Sequence, residues 1–115
     1  MTRRVEKPWG HEEIWAETDR YVGKILYINA GFRLSLQHHV SKDETIRVLS
    51  GRMRLDLEDE NGTIEVITME PGMSSRIMPG KKHRMTAETD VELLEVSTPE
   101  LKDVVRHEDD YGRAD

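Results

Sequence analysis

The sequence predicts an all-β domain, either a sandwich or a barrel. Three observations lead there. Eight or more short runs of alternating or β-branched residues recur at close spacing. Nearly every gap between them holds Gly, Pro or Asn-Gly, the residues that tight turns require. Apolar residues at helical spacing are almost absent. Such a chain buries its apolar faces by packing sheet on sheet or by closing a sheet on itself.

Residues 1–6 are charged and are expected to be ordered only by docking. Pro8-Trp9-Gly10 reads as a turn, and residues 11–16 as a short strand. Residues 21–28 form a stronger one. Tyr21, Gly23, Ile25 and Tyr27 alternate with Val22, Lys24, Leu26 and Ile28, so both faces are expected to be covered. Asn29-Ala30-Gly31 turns the chain. In residues 33–39, Arg33, Ser35, Gln37 and His39 share one face; Leu34, Leu36 and His38 share the other. The polar set is expected to face the interior, with Leu34 and Leu36 pointing outward. Outward leucines ask for a partner surface, which predicts a homodimer.

Residues 44–50 and 52–58 make a hairpin around Gly51. Met53, Leu55 and Leu57 alternate with charged residues, the sign of a half-exposed strand. Glu60-Asn61-Gly62 is a second hairpin turn, from which residues 63–68 return. Glu70-Pro71-Gly72 turns again, residues 74–78 run as a strand, and Pro79-Gly80 breaks it. His83, Met85 and Ala87 share one face of the next strand. Residues 91–97 form the last, which Pro99 ends. A short helix is expected over residues 99–105, then an acidic tail left as exposed coil unless it docks.

The chain of 115 residues reads as one domain, residues 1–115, with its core at about 20–98 between an N-terminal arm and a C-terminal tail. One Phe, two Trp and three Tyr leave Val, Ile, Leu and Met to build the core. A net charge of -6 argues against a nucleic-acid groove or an anionic membrane surface. Cysteine is absent, so there are no disulfides and no thiolate site. No apolar run nears the roughly 18 residues of a membrane span, and no signal peptide is visible. The expected location is the cytoplasm.

Chemistry concentrates between Gly31 and Gly51. Gln37 and His39, two apart on a strand, point to one face. After a short polar loop, Glu44 opens the next strand. Downstream, the Pro79-Gly80-Lys81-Lys82 turn delivers His83 at a strand start. Imidazole and carboxylate are ordinary ligands for Zn, Mn, Fe, Co or Ni, and an amide oxygen is a weaker one. Gln37, His39, Glu44 and His83 would together hold one divalent ion, with positions open for water or substrate. Zn is the first choice, since it suits His and carboxylate and needs no redox chemistry. His11, His38 and His107 read as ordinary surface or half-buried histidines.

These spacings resemble a known family. Gly31, Gln37, His39, Glu44 and Gly51 follow G-x5-[H/Q]-x-H-x4-E-x6-G, and Pro79, Gly80 and His83 follow P-G-x2-H. These are similar to the two cupin motifs. Gln37, where most cupins carry His, resembles the phosphomannose isomerase branch. The opening Lys7-Pro8-Trp9-Gly10 and the closing Asp103-Val104-Val105-Arg106 and Asp109-Asp110-Tyr111-Gly112-Arg113 also resemble that branch's C-terminal isomerase domain. Val40-Ser41 departs from it, standing where that domain has a run of His. The resemblance implies a double-stranded β-helix, the jelly-roll barrel. It also implies metal-dependent interconversion of mannose 6-phosphate and fructose 6-phosphate.

Such a reaction needs a base and a phosphate anchor. Glu95 is the candidate base, in phase with Val91, Leu93 and Ser97 on the last strand. Arg76 and Lys82, beside the second motif, are the candidate substrate-binding cations, Arg76 because its strand is otherwise apolar or small. Two other readings stay open. One is a dioxygenase using Fe or Mn, against which the weak donor Gln37 counts. The other is a non-catalytic metal- or sugar-binding module.

Overall fold

The computed structural model describes residues 2–114, which form eleven strands and no α-helix. In chain order these are β1 (Arg3–Lys7), β2 (Gly10–Glu17), β3 (Val22–Ile28), β4 (Leu36–His38), β5 (Glu44–Ser50), β6 (Met53–Glu58), β7 (Ile64–Met69), β8 (Ser74–Ile77), β9 (His83–Ala87), β10 (Val91–Ser97) and β11 (Val105–Glu108). No helix among the described residues is long and apolar enough to cross a membrane.

The strands make two antiparallel sheets. One runs β1-β2-β3-β10-β5-β8 and the other β11-β4-β9-β6-β7. Neighbours in space are mostly not neighbours in sequence: β10 lies between β3 and β5, and β9 between β4 and β6. From β3 onward successive strands alternate between the sheets, the β6-β7 hairpin excepted, the wrapping of a jelly roll. Between the sheets lies a core of Leu26, Ile28, Ile46, Val48 and Leu93 against Met53, Leu55, Met69 and Met85. It is aliphatic, as the scarcity of aromatics required. The single Phe, Phe32, is 42% exposed.

Both chain ends are built into the sheets. Residues expected to be loosely docked form β1, paired with β2 from Arg3↔Ile14 to Lys7↔Gly10. The turn between them buries Trp9. Gly10 is required there: its φ is 152°, and a Cβ would meet the Tyr27 carbonyl oxygen at 1.9 Å. The expected helix over residues 99–105 is absent. Short turns run from Pro99 to Val104, and the chain then enters β11 beside β4. A helix would need the Asp103 region to bond locally, but its side chain is committed to residues 40–42. The tail docks: Arg33 donates to Asp110 at 2.7 and 2.9 Å, and Tyr111 Oη donates to the Arg33 carbonyl at 2.8 Å.

The segment before the first ligands also differs from expectation. Only Leu36–His38 forms a paired strand, with an isolated bridge at Arg33↔Thr86. Strict alternation therefore fails. Leu34 is buried in the core, Ser35 is buried too, and Leu36 is half-buried beside β11. Of the two leucines that suggested a partner, Leu34 is not outward.

Candidate metal centre

β4, β5 and β9 carry the candidate ligands toward one point. Gln37 on β4 pairs across the sheet with His83, the first residue of β9. Glu44 opens β5 in the opposite sheet. His39, Glu44 and His83 are all buried. His39 Nε2 lies 3.3 Å from Glu44 Oε1, and His83 Nε2 lies 3.4 Å from the same oxygen. One ligand atom from each of the three falls within 4.8 Å of the others.

The imidazoles are held from behind. His39 Nδ1 donates to the Asp103 carbonyl at 2.6 Å, and His83 Nδ1 to the Lys81 carbonyl at 2.9 Å. A carbonyl only accepts, so each Nδ1 carries the proton, which in a neutral ring leaves Nε2 a lone pair. This is the orientation that outer-shell partners give to metal-binding histidines. His83 Nε2 is buried with no hydrogen-bond partner. Two lone pairs facing a carboxylate repel unless a cation stands between them. Donors about 2.1 Å from one ion stand about 3–3.5 Å apart, the spacing from Glu44 to both rings. The residues fit a divalent metal.

Beside this cluster the interior carries a row of alternating charge. Lys42 Nζ lies 3.2 Å from Glu44 and 3.1 Å from Glu95. Lys24 Nζ lies 3.8 Å from Glu95 and 3.3 Å from Glu12. Burial pushes the Glu44 carboxyl up, but its close contacts with His39 and His83 and the charge of Lys42 outweigh it and hold it well below the usual range. Burial and then the Glu44 charge push Glu95 up, and the two lysines offset only part of this. Burial alone would lower Lys42; Glu95 and Glu44 more than reverse it, so its ammonium stays charged. These groups line a cleft of about 600 Å³, counting the part open to solvent.

Residues 1–113 match the family described as Mannose-6-phosphate isomerase C-terminal. The chain belongs to that family. It is 32% identical to the xanthan biosynthesis protein XanB of Xanthomonas campestris, covering 96% of this chain and 24% of that protein. It is 34% identical to the mannose-1-phosphate guanylyltransferase ManC of Salmonella typhimurium, covering 98% and 24%. The chain therefore spans about a quarter of the length of these relatives. Among solved structures, oxalate decarboxylase of Bacillus subtilis superposes with a TM-score of 0.81 at 16% identity, over 92% of this chain and 30% of that one. KdgF of Halomonas gives 0.76 at 19% identity, over 88% and 91%. The fold is the cupin jelly roll.

Within this isomerase C-terminal family fold, the structure sorts the sequence candidates. Gln37 lines the cleft with His39 and Glu44, and its Oε1 accepts from Ser35 Oγ at 3.1 Å. Glu95 lies on the buried phase of β10 with Val91, Leu93 and Ser97. Arg76 is elsewhere. Its neighbour Ile77 takes the inward phase of β8, so Arg76 faces solvent and pairs with Asp43 at 2.7 and 3.1 Å. Lys82 is half-buried one residue out of phase with His83, and does not line the cleft. Neither substrate-binding candidate reaches the site.

Lys42 and Asp103 were missed. Lys42 shares the inward phase of Glu44, Ile46 and Val48, a signal present in the sequence. Asp103 carried no such signal.

Proposed function

We propose that this chain is a metal-dependent sugar-phosphate isomerase domain acting on the mannose 6-phosphate/fructose 6-phosphate pair. The carrying observation is that Glu95, a buried carboxyl with a raised pKa, lines the same cleft as His39 and Glu44 of the His39–Glu44–His83 cluster. ManC is named a mannose-1-phosphate guanylyltransferase, so one relative handles a mannose phosphate. His39, Glu44 and His83, with the Gln37 amide, would hold the ion, which when bound would polarise the sugar oxygens at C1 and C2.

Glu95 takes the carbon-bound proton from C2 and returns it to C1, or the reverse. A carboxyl with a raised pKa suits both halves of that transfer. Lys42 keeps the Glu95 oxygen in place at 3.1 Å and opposes charge that develops beside it. Leu101 and Val104 of the docked tail line the cleft and limit water entry. Zn is the first choice of metal. Mn(II) centres are described for the Bacillus subtilis oxalate decarboxylase, and Mn, Fe, Co and Ni suit the same donors.

Elemental analysis followed by a coupled assay with mannose 6-phosphate tests the proposal. Turnover that is lost on chelation and in Glu95→Gln, while Glu95→Gln retains its metal, is the expected result. Metal retained with no turnover in the wild type would leave a non-catalytic binding module. Dioxygenase chemistry has the weak donor Gln37 against it.

A cytoplasmic homodimer completes the proposal. With Leu34 in the core, its support is the outer face of the larger sheet. There Trp15 covers Gly23 beside Ile25, Leu94 and Val96, with Trp15 44% and Val96 47% exposed. Light scattering that shows a monomer at micromolar concentration would overturn it.

A further inference from the structure

We propose that Lys7, Arg106 and Arg113, brought from the two ends of the chain to the mouth of the cleft, form the site that takes the substrate's phosphate monoester. This rests on the sugar-phosphate reading of the cleft, and it replaces Arg76 and Lys82 as the anion anchor.

The charge distribution comes first. The chain carries a net charge of -6, yet the cleft is lined by five cations and only three carboxylates. The two deep cations are spoken for. Lys24 lies between Glu12 and Glu95, and Lys42 between Glu95 and Glu44. The other three cations of the lining are Lys7, Arg106 and Arg113.

Each is placed for the task by its own element. Lys7 ends β1 against Gly10, half-buried and without an ion-pair partner among the described residues. Burial lowers its pKa; Glu12 opposes this, but Lys24, Arg113 and Arg106 lower it further. An ammonium in the field of three other cations is stabilised by an arriving dianion. Arg113 is ion-paired with Asp109, which fixes its guanidinium. Asp109 accepts from its Nε and Nη2 at 3.0 and 3.1 Å, and its guanidinium lies 5.4 Å from the Tyr111 ring centre. Two of five guanidinium donors are used, which leaves a fixed fork for phosphate oxygens. Arg106 sits on β11 opposite Gln37 of β4, so the anion would lie beside the strand that carries a candidate metal ligand. A sugar phosphate would then span the cleft, phosphate at the mouth and reacting carbons at Glu95.

The test uses the full chain, with inorganic phosphate and mannose 6-phosphate as probes followed by amide chemical shifts. Both are expected to shift residues around Lys7 and Arg113. Lys7→Gln and Arg113→Gln should each weaken binding by about tenfold, the loss of one charge-assisted contact. Arg76→Gln and Lys82→Gln should leave it unchanged, and metal content should be unchanged throughout. Arg113→Gln also breaks the Asp109 pair, so Lys7→Gln, which breaks no ion pair, carries the decision if the tail loosens. Phosphate that binds equally well to Lys7→Gln, or not at all to the wild type, overturns the proposal. Binding at this mouth without isomerase turnover supports it and counts against the isomerase reading alone. Turnover with an unchanged KM in the Lys7→Gln, Arg113→Gln double variant does the opposite.

Discussion

Glu44→Gln is expected to lower metal affinity by about 100-fold or more, near 2.7 kcal/mol. Both imidazoles converge on Glu44 Oε1, at 3.3 and 3.4 Å, and no other carboxylate belongs to the cluster. Glutamine keeps the volume and removes the charge, so the loss isolates electrostatics from packing. Gln37→Ala removes a neutral and weaker donor, and should cost about tenfold. The pH dependence has a definite sign. The folded pKa of Glu44 is depressed, so its contribution to stability is present above the ordinary carboxylate value, about 4.3. It is lost only as pH falls through the depressed value. Metal affinity is therefore expected to fall in acid before Glu44 itself is protonated. Competition with a chromophoric chelator across pH measures both effects. Wild-type affinity in Glu44→Gln would show that the cluster is not the metal site.

The convergence of His39, Glu44 and His83 was legible in the sequence because cupin-like spacing, strand alternation and a Pro-Gly turn are all local. Gln37, His39, Glu44 and His83 each sit at or beside a strand end whose position the turns mark. Glu95 was legible in part: its phase could be read, but not whether that phase faced inward until β10 was seen between β3 and β5. Arg76 misled because a lone cation in a short apolar strand looks purposeful. Its purpose depends on Asp43, thirty-three positions away, and on which face of β8 is outside. Leu34 misled because alternation assumes a regular strand, and residues 33–35 touch the sheet only through one bridge. The tail was least legible. Its polar sequence has no periodicity of its own, and its structure comes from partners in β4 and in the loop before β5.

That tail yields the second large effect. Asp103→Ala is expected to lower metal affinity by about 10- to 100-fold while leaving the sheets intact. The Asp103 carboxylate accepts the backbone N–H groups of Val40, Ser41 and Lys42 at 3.0, 2.7 and 2.9 Å. Its carbonyl accepts from His39 Nδ1. One residue therefore clamps the whole loop between two ligands, and it orients one of them. Hydrogen bonds from Ser41, Val40 and Lys42 hold its carboxyl below the usual range. The clamp is thus fully formed above the ordinary value of about 3.9 and loosens only as pH falls below it. Removing the carboxylate leaves three N–H groups to find water, and the loop loses the conformation that places His39 and Lys42. Asp103→Asn, which keeps an acceptor but no charge, should fall between wild type and alanine. Lys102→Ala, exposed and next in sequence, should change nothing. Circular dichroism checks the fold and chelator competition the affinity. If Asp103→Ala binds metal as tightly as the wild type, His39 holds its orientation without the clamp, and the docked tail serves the mouth of the cleft rather than its floor.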